Sequence, residues 1–338
     1  MTDRTTSGPS LGDIIRINDM FHDSALLHMA VASRLFDDLT VSQQADVVAA
    51  KHDWVPRKCR ILLDALVAKE LLDKQGDLYV NRADTTRFLT TGGESYVGAI
   101  IDHQRLQWDL WARMGEVLAS NEATDVQQEL RLRKDEAANT AFNQAMVQLS
   151  RDNLDDVLGV SEFAEAGRVL DLCGGHGTYL AALAQKHPEL RGEVWDRETA
   201  RERATQTFAQ AGVADRLGFR AQDVLEPEAF AGASADACML NDCLHYFDEA
   251  EVRTLIGRAA GLLSSGGVLV VLTMVLDNDR VSPMSAAGFS LHMMLNTNHG
   301  ELHPTPWIEK VMGEAGLAVE RRPAGSVGRY ALLLGRRP

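Results

Sequence analysis

The sequence predicts an α/β protein in which a doubly wound, parallel sheet follows a mostly helical N-terminal region. From Arg168 onwards, short apolar runs alternate with amphipathic segments, which is the pattern of parallel strands joined by helices. Before Arg168, apolar residues recur at the spacing of a helix rather than that of a strand. A Gly76-Asp77 turn between two short apolar runs, in LLDKQGDLYVN, indicates one β-hairpin in the N-terminal region.

The segments that predict helices before this hairpin are 24–39, 41–52 and 55–72. The last of them has one apolar stripe, formed by Cys59, Leu62, Leu63, Leu66, Val67 and Leu71. Helices followed by a hairpin are typical of a winged helix, a motif that often binds DNA. This helix has little excess positive charge, so the sequence favours a packing or dimerisation module, which we place at residues 1–115.

Further helical stretches at 93–118 and 137–158 are rich in Trp, Met and His. We expect a helical linker at 116–165 that forms part of an acceptor pocket, followed by the cofactor-binding domain at 166–338. Strands are predicted there at 168–172, 192–196, 216–223, 235–240, 267–276 and 328–336. Helices are predicted between them at 178–187, 197–212, 249–263 and 305–316.

The segment DLCGGHG follows the first of these strands, where doubly wound sheets bind their ligands. Gly174, Gly175 and Gly177 allow a ligand to approach the backbone closely. A dinucleotide site would prefer G-x-G-x-x-G, with the pyrophosphate at the helix N-terminus. Asp171 is unfavourable beside a pyrophosphate but suits an ammonium group. The loop therefore favours S-adenosylmethionine (SAM), which has an ammonium, a sulfonium and no phosphate.

Acids at the next strand ends support the same cofactor. Asp196 ends the second predicted strand, where a carboxylate can accept both ribose hydroxyls. Asp223 ends the third strand and can accept from an adenine amino group, while Val224 packs on the ring. Acids at consecutive strand ends are stronger evidence than one glycine cluster alone.

The composition limits the class of partner. The net charge of −14 disfavours nucleic acid and anionic membranes, because binding phosphates requires a basic surface. No apolar run approaches the roughly 20 residues of a membrane span, and the N-terminus has no export signal. The cysteines are few and scattered, as expected for reduced thiols. We therefore expect a cytoplasmic protein with a small-molecule partner.

The chain resembles the class I SAM-dependent methyltransferases, and more closely the caffeate/hydroxyneurosporene-type small-molecule O-methyltransferases. The matching segments are DLCGGHG, VWD, AQDV, LNDCLHYFDEAE, LLSSGGVLVV and MLNTNHGELHPTPWIEKVMGEAGL. The resemblance implies a Rossmann-like catalytic domain, SAM as cofactor and a homodimer with intertwined N-terminal winged-helix domains. It also implies that Asn241 contacts the cofactor, that His245 is the catalytic base and that Glu301 orients it. Cys173 departs from the family's glycine, and we expect a tolerated, inert thiol there.

Methyl transfer to a hydroxyl needs alignment and the removal of one proton, which a histidine held by a carboxylate can accept. Tyr246, however, stands where the family has an aspartate, and a thioether acceptor would need no base. The chain also resembles, more weakly, the bacterial methylthiohydroxybutyrate S-methyltransferases of dimethylsulfoniopropionate synthesis, so sulfur methylation stays open. An NAD-dependent oxidoreductase and a SAM-sensing regulator are further alternatives, which Asp171 and the acidic composition disfavour.

Polar and aromatic residues of the helices are candidates for the acceptor pocket. They are His103, Gln104, Gln107, Trp108, Trp111, Phe142, Met146, Tyr246, His292, Met293 and Asn296. Gln104, Arg105 or Gln107 could bind a carboxylate of the acceptor. A metal ion could in principle be held by His245, His292, His299, Glu301 and His303. Because Tyr246 replaces the aspartate of the His-Asp pair with which some relatives hold iron, we predict no metal.

Overall fold

The computed structural model describes residues 8–120, 136–226, 230–325 and 328–338. These described residues divide into two compact units. The first unit runs up to Trp108 and includes Thr140–Ala145, and the second unit contains the remainder. The domain boundaries predicted at residues 115 and 165 stay a prediction, and part of the predicted linker lies outside the described residues.

The first unit is mostly helical. Its elements are α1 (Leu11–Ala32), α2 (Leu35–Asp38), β1 (Gln43–Gln44), α3 (Ala45–Lys51), α4 (Pro56–Ala68), β2 (Leu72–Gln75), β3 (Leu78–Asn81), α5 (Ala83–Leu89) and α6 (Gly98–Arg105). The strands form an antiparallel sheet in the order β1-β3-β2, and Gly76 adopts a φ of 60° in the predicted hairpin turn. A core that includes Leu35, Phe36, Leu63 and Tyr79 holds the unit together. The predicted winged-helix arrangement of helices and a hairpin is confirmed.

Helix α1 differs from the prediction at both ends. It begins at Leu11, well before the predicted start, because Ser10 and Asp13 form a capping box with reciprocal side-chain-to-backbone hydrogen bonds. It ends at Ala32, and Arg34 adopts a left-handed φ of 56° before α2 begins. The single helix predicted at 24–39 is therefore two helices, because the left-handed residue breaks the hydrogen-bond ladder.

The second unit has the predicted alternation of strands and helices. Its elements are α7 (Trp108–Ala112, which begins at the last residue of the first unit), α8 (Met114–Leu118), α9 (Glu136–Leu158), β4 (Arg168–Leu172), α10 (Thr178–Lys186), β5 (Arg191–Asp196), α11 (Arg201–Gln210), β6 (Leu217–Ala221), β7 (Ala235–Asn241), α12 (Glu249–Leu262), β8 (Leu263–Met274), α13 (Met284–Asn296), α14 (Thr305–Glu314), β9 (Ala318–Ala324) and β10 (Tyr330–Arg336). The helical stretch predicted at 93–118 contains α6, α7 and α8.

The sheet of the described second unit has seven strands in the order β6-β5-β4-β7-β8-β10-β9. Strands β4 to β8 pair in parallel, but β10 is antiparallel to both β8 and β9. The prediction of a wholly parallel sheet is wrong at this edge, and β9 was not predicted. Its sequence, AVERRPA, has alternating exposure and many charges, as befits an edge strand, so no apolar run marks it.

Both faces of the parallel strands are buried. Val169, Val194 and Val270 pack on one side, and their neighbours Leu170, Trp195 and Val271 pack on the other. Successive side chains of a strand point to opposite faces, so burial on both faces produces the continuous apolar runs of the sequence. Across the described ranges, the helices lack the combination of length and apolar composition that a membrane span requires.

Candidate functional site

The loop between β4 and α10 brings backbone and carboxylate into close contact. A Cβ atom at Gly174 would lie 2.4 Å from Cγ of Asp171, so only glycine fits there. Gly177 has a left-handed φ of 67°, and a Cβ atom there would lie 2.7 Å from the Phe208 ring. The loop therefore depends on these glycines for its path over Asp171.

Asp171 is buried at the carboxyl end of β4, with 1% of its surface exposed. Neither of its carboxylate oxygens has a hydrogen-bond partner among the described residues. Burial, followed by the charge of Asp196, raises the pKa of Asp171 to about 8. A buried carboxylate without a donor is costly, so this arrangement suits a ligand that supplies a cation or several N–H groups.

Asp196 ends β5, as predicted, and receives backbone hydrogen bonds. The amide of Gly175 donates to its Oδ2 at 2.8 Å, and the amide of Arg197 donates to its Oδ1 at 2.6 Å. Burial raises the pKa of Asp196, while these amide donors act in the opposite direction. The bonds fix the carboxylate beside the loop, and each oxygen keeps a lone pair for a ligand hydroxyl.

Asp223 and Val224 lie just beyond β6, which ends at Ala221 rather than at the predicted residue. Asp223 is exposed, and its Oδ1 accepts from the amide of Leu225 at 2.9 Å. Val224 is buried in the same apolar cluster as Trp195. The carboxylate therefore faces solvent at the carboxyl edge of the sheet, and the valine supports the turn from below.

Asn241 and Asp242 follow at the end of β7. Asn241 is buried, and its Oδ1 has no partner in the described part of the chain. Asp242, which sequence reasoning missed, has a left-handed φ of 51°, and burial raises its pKa to about 7. After burial, the charge of Asp242 is the next cause that raises the pKa of the Tyr179 and Tyr330 hydroxyls. The sequence does contain a signal for Asp242, namely an acid directly after a polar residue at the end of a strand.

These residues fit SAM. The unpartnered oxygens of Asp171 and Asn241 are acceptors without donors, and Asp196 is fixed to accept further bonds. An ammonium group and ribose hydroxyls are donors, whereas a pyrophosphate would add negative charge beside two buried carboxylates. SAM therefore provides the hydrogen-bond donors that these acceptor oxygens lack.

His245 lies in the short 3-10 turn Leu244–Tyr246 after β7 and is buried. Aromatic rings surround it: the Tyr246 ring lies 4.8 Å away and the Phe289 ring 5.2 Å away between centroids. Phe289 in turn stacks on His292 at 5.6 Å. Burial, followed by the nearby His292 and His303, lowers the pKa of His245 to about 3. The imidazole is therefore neutral and able to accept a proton.

Within the described ranges, Glu301 forms its hydrogen bond with Arg280 and none with His245. Its Oε2 accepts from Arg280 at 2.9 Å, and Arg280 also donates to Glu249 at 2.5 Å. His303 donates from Nε2 to the carbonyl oxygen of Phe247 at 2.9 Å. Potential ligand atoms of Glu249, Glu301 and His303 lie within 4.8 Å of one another, as a metal site would need. Arg280, however, already forms ion pairs with the carboxylates of Glu249 and Glu301.

Residues 126–318, more than half of the chain, match the O-methyltransferase domain family. The chain belongs to this family. An O-methyltransferase family protein from Burkholderia thailandensis, of known structure, is 49% identical, with a TM-score of 0.90 over 98% of this chain and 99% of that one. The tetracenomycin polyketide synthesis 8-O-methyl transferase TcmO of Streptomyces glaucescens is 28% identical over 97% of each chain. Human N-acetylserotonin methyltransferase, solved in complex with SAM, is 20% identical and shares the fold, with a TM-score of 0.81 over 98% and 99% of the two chains.

Membership in the O-methyltransferase family confirms the predicted enzyme class, a SAM-dependent small-molecule methyltransferase. The same membership argues against the two alternative hypotheses, an NAD-dependent oxidoreductase and a SAM-sensing regulator. Sulfur methylation has no comparable support, because the matching family is described as an O-methyltransferase domain and TcmO is named for transfer to oxygen.

The acceptor residues predicted for this O-methyltransferase divide between the two units. In the first unit, the His103 ring lies 5.3 Å from Phe142, and the side chains of His103 and Gln107 hydrogen-bond at 2.8 Å. Gln104 is exposed on the same helix, and the Trp108 ring lies 5.7 Å from that of His28. The structure therefore groups His103, Gln107 and Phe142, and places Gln104 on another side of α6.

The remaining predicted acceptor residues belong to the second unit. Trp111 lies 6.3 Å from the His292 ring, which extends the aromatic series that leads to His245. Asn296 is buried and donates to the backbone oxygen of His292, while its own Oδ1 has no partner among the described residues. Met146 lies beside the cofactor loop, where its backbone hydrogen-bonds to His176. Phe289 was missed, because an apolar residue on a helix gives no signal of a site.

Proposed function

We propose that this enzyme transfers the methyl group of SAM to an aromatic hydroxyl of a small molecule, with His245 as general base. The observation that carries the proposal is a neutral, buried imidazole in contact with the rings of Tyr246 and Phe289, on the turn that follows β7. The relatives support an aromatic acceptor. TcmO is named for polyketide synthesis, and another relative, from Streptomyces sahachiroi, is named as a hydroxynaphthoate O-methyltransferase.

On the cofactor side, we propose that Asp171 accepts from the ammonium group of SAM. Asp196 accepts from the ribose hydroxyls, and Asp223 accepts from the adenine amino group above Val224. Asn241 supplies its free oxygen to the amino-acid end of the cofactor. The loop glycines Gly174, Gly175 and Gly177 admit this ligand against the backbone.

When bound, SAM supplies an electrophilic methyl group on a sulfonium. The protein aligns the acceptor oxygen with that methyl group and removes the hydroxyl proton to a ring nitrogen of His245. A base whose pKa is lowered to about 3 is weak. A phenol, with a pKa of about 10, loses a proton to it far more readily than an aliphatic alcohol does, because each pKa unit corresponds to about 1.4 kcal/mol. An aromatic hydroxyl is therefore the suitable acceptor.

Around the acceptor, Tyr246, Phe289, His292 and Asn296 provide aromatic faces and polar atoms, and Met146 adjoins the cofactor loop. The acceptor contacts predicted from the sequence for His103, Gln104, Gln107, Trp108 and Phe142 stay a prediction. Glu301 is proposed to orient His245, and this role requires its release from Arg280 when the acceptor binds. Asn296 offers a free acceptor atom for a second polar group of the substrate.

The test is a mass-spectrometric screen with SAM and three sets of acceptors: hydroxynaphthoates and other phenols, aliphatic hydroxy acids, and thioether acids. We expect a gain of one methyl group in the phenol set, together with release of S-adenosylhomocysteine (SAH). Methylation confined to the thioether acids would overturn the assignment of an oxygen acceptor. Calorimetry with SAH and NAD provides the control, because the enzyme should bind the first and not the second.

We further propose that the enzyme works as a cytoplasmic homodimer joined through α1. This helix exposes a series of large apolar side chains, namely Leu11, Ile14, Ile15, Ile17, Met20 and Phe21. A helix that exposes so many large apolar side chains is typical of a protein–protein interface. The partner that fits it is a second copy of the same helix, because an identical apolar face is self-complementary across a twofold axis.

Light scattering of the purified protein should give twice the mass of one chain. The double variant Ile14→Glu/Ile17→Glu should give the mass of one chain, because burying the introduced carboxylates at the interface is costly. Val281→Glu, which alters an exposed apolar residue of the second unit, is the matched control and should stay dimeric. A monomeric wild type, or a double variant that remains dimeric, would refute the proposed interface.

A further inference from the structure

Two cysteines lie close together at the start of the cofactor loop. Cys173 directly follows β4, and Cys243 comes two residues after β7. These strands are neighbours that pair in parallel, with Asp171 opposite Met239, so their carboxyl ends deliver both cysteines to the same edge of the sheet. Neither cysteine is part of a disulfide.

The two cysteines share one apolar environment and interact with each other. Cys243 belongs to the buried apolar cluster on one face of the sheet, and Cys173 packs against that same cluster. The Cys243 thiol interacts with the Cys173 thiol and lies 4.0 Å from the carbonyl oxygen of Leu172. Cys243 has 3% of its surface exposed, whereas Cys173 is half-buried. Cys173 is therefore the more exposed of the two cysteines, and Cys243 is the more deeply buried.

The backbone of Cys173 is strained. It has a φ of 58°, a left-handed conformation that glycine adopts freely and that side-chain-bearing residues adopt at a cost. Neither apolar packing nor loop geometry requires a sulfur here, since a glycine would satisfy this backbone better. A strained cysteine whose thiol meets a second thiol requires an explanation that an inert side chain does not offer.

We propose that Cys173 and Cys243 are a reversible oxidation site, at which a peroxide joins them in a disulfide that distorts the cofactor loop. The proposal differs from the expectation that Cys173 is an inert replacement for glycine. The expected effect on cofactor binding rests on the proposed SAM site, whereas the formation of the disulfide does not.

The chemistry is that of a peroxidatic and a resolving cysteine. The sulfur of Cys173, the less buried cysteine, attacks one peroxide oxygen, the O–O bond breaks, and Cys173 becomes a sulfenic acid while water leaves. The Cys243 sulfur then attacks the Cys173 sulfur, the S–O bond breaks, and a second water leaves. Together the thiols lose two electrons and two protons, and the peroxide is reduced to two waters. Contact with Cys173, followed by burial, raises the pKa of the Cys243 thiol, so that sulfur is protonated until its partner is oxidised.

Disulfide formation draws the two cysteines together. The sulfur atoms of a disulfide are about 2.05 Å apart, which is closer than van der Waals contact. Because Cys243 is buried in the core, we expect the movement at Cys173 and at the adjoining Gly174 and Gly175. The amide of Gly175 binds Asp196 at 2.8 Å, so the same movement disturbs both carboxylates proposed to hold SAM.

The experiment treats the full-length enzyme with hydrogen peroxide, quenches it with catalase and alkylates it under denaturing conditions. The sequence has four cysteines, and we expect the number of alkylated thiols to fall by two, with Cys173 joined to Cys243 in the non-reduced peptide map. A thiol reductant should restore all four. Cys173→Gly and Cys243→Ala should each abolish the cross-link, and Cys59→Ala, in the other unit, should leave it intact.

Calorimetry then compares SAH binding before and after oxidation. We expect the oxidised enzyme to bind SAH about tenfold more weakly or worse, because at least one charge-assisted hydrogen bond is lost. Bound SAH should slow the cross-linking in return. Four alkylated thiols after peroxide, or a cross-link between other cysteines, would overturn the proposal. A cross-link without any change in SAH binding would retain the oxidation site but refute its effect on the proposed cofactor site.

Discussion

Substituting alanine for His245 should lower kcat about 10²–10⁴-fold and leave the affinity for SAH nearly unchanged. The ring is buried among Tyr246 and Phe289 and is neutral, so its removal eliminates a proton acceptor rather than a charge. Single-turnover rates with a phenolic acceptor and calorimetry with SAH measure the two quantities. His299→Ala, which removes an exposed histidine of the second unit, is the matched control and should retain full activity.

A loss of only a few-fold in the His245 variant, with SAH binding intact, would contradict a general base and favour the base-free methylation of sulfur. The pH profile gives a second check. Because the pKa of His245 is lowered to about 3, the base form persists at mildly acidic pH, and kcat should not fall through its protonation near pH 6. The same shift affects stability: the folded state binds fewer protons than the unfolded state, so this contribution is complete above about pH 6.5 and is lost as the pH falls towards 3.

Asp171→Asn should weaken SAH binding about 100-fold and at the same time stabilise the ligand-free enzyme. The loss arises because a neutral amide cannot pair with the ammonium group, and hydrogen bonds between charged groups are the stronger ones. The stability of the ligand-free enzyme increases because the substitution removes a carboxylate that is buried without a partner and whose pKa is raised to about 8. The folded state then binds more protons than the unfolded state, so ionisation of Asp171 reduces stability as the pH rises from about 4 to about 8.

Thermal unfolding at pH 5 and pH 8.5 measures the stability effect, which should be larger at pH 8.5, because Asp171 ionises in the folded state between these two pH values. Calorimetry with SAH and with methylthioadenosine, which lacks the amino-acid end, separates the binding effect. Only SAH binding should suffer. Asp215→Asn, at an exposed position of the same unit, should change neither quantity. Equal losses for both ligands would show that Asp171 supports the whole loop rather than the ammonium group.

Most of the sheet was predictable from the sequence because its inner strands are buried on both faces. RVLDL and GVLVVLTM are apolar runs that match β4 and β8 closely. Strand β9 was not predictable in this way, since AVERRPA lies at an edge and has three consecutive charged residues instead of an apolar run. The start of α1 was missed for a different reason: its stabilisation comes from a cap at Ser10 and from apolar residues that remain exposed.

Some features of the candidate site were likewise predictable from the sequence, and others were not. Asp171 and Asp196 were predictable, because acids at strand ends follow directly from the order of elements. The bond between Arg280 and Glu301 was not, because it joins residues of separate loops whose approach depends on the folded backbone. Asp242 gives no signal of its left-handed conformation in the sequence, and the contact between Cys173 and Cys243 depends on the register of β4 and β7.

The position of β10 bears on when the catalytic unit can fold during synthesis. Tyr330–Arg336 fills the place between β8 and β9, pairing with Val268–Met274 on one side and Ala318–Ala324 on the other. Until this strand has left the ribosome, β8 has an open edge of unpaired backbone groups, which is a template for aggregation. The first unit is synthesised before this point and consists mainly of local helical contacts, which form early. The growing chain therefore passes through a stage with a folded N-terminal unit and an open sheet, when a chaperone would have most effect.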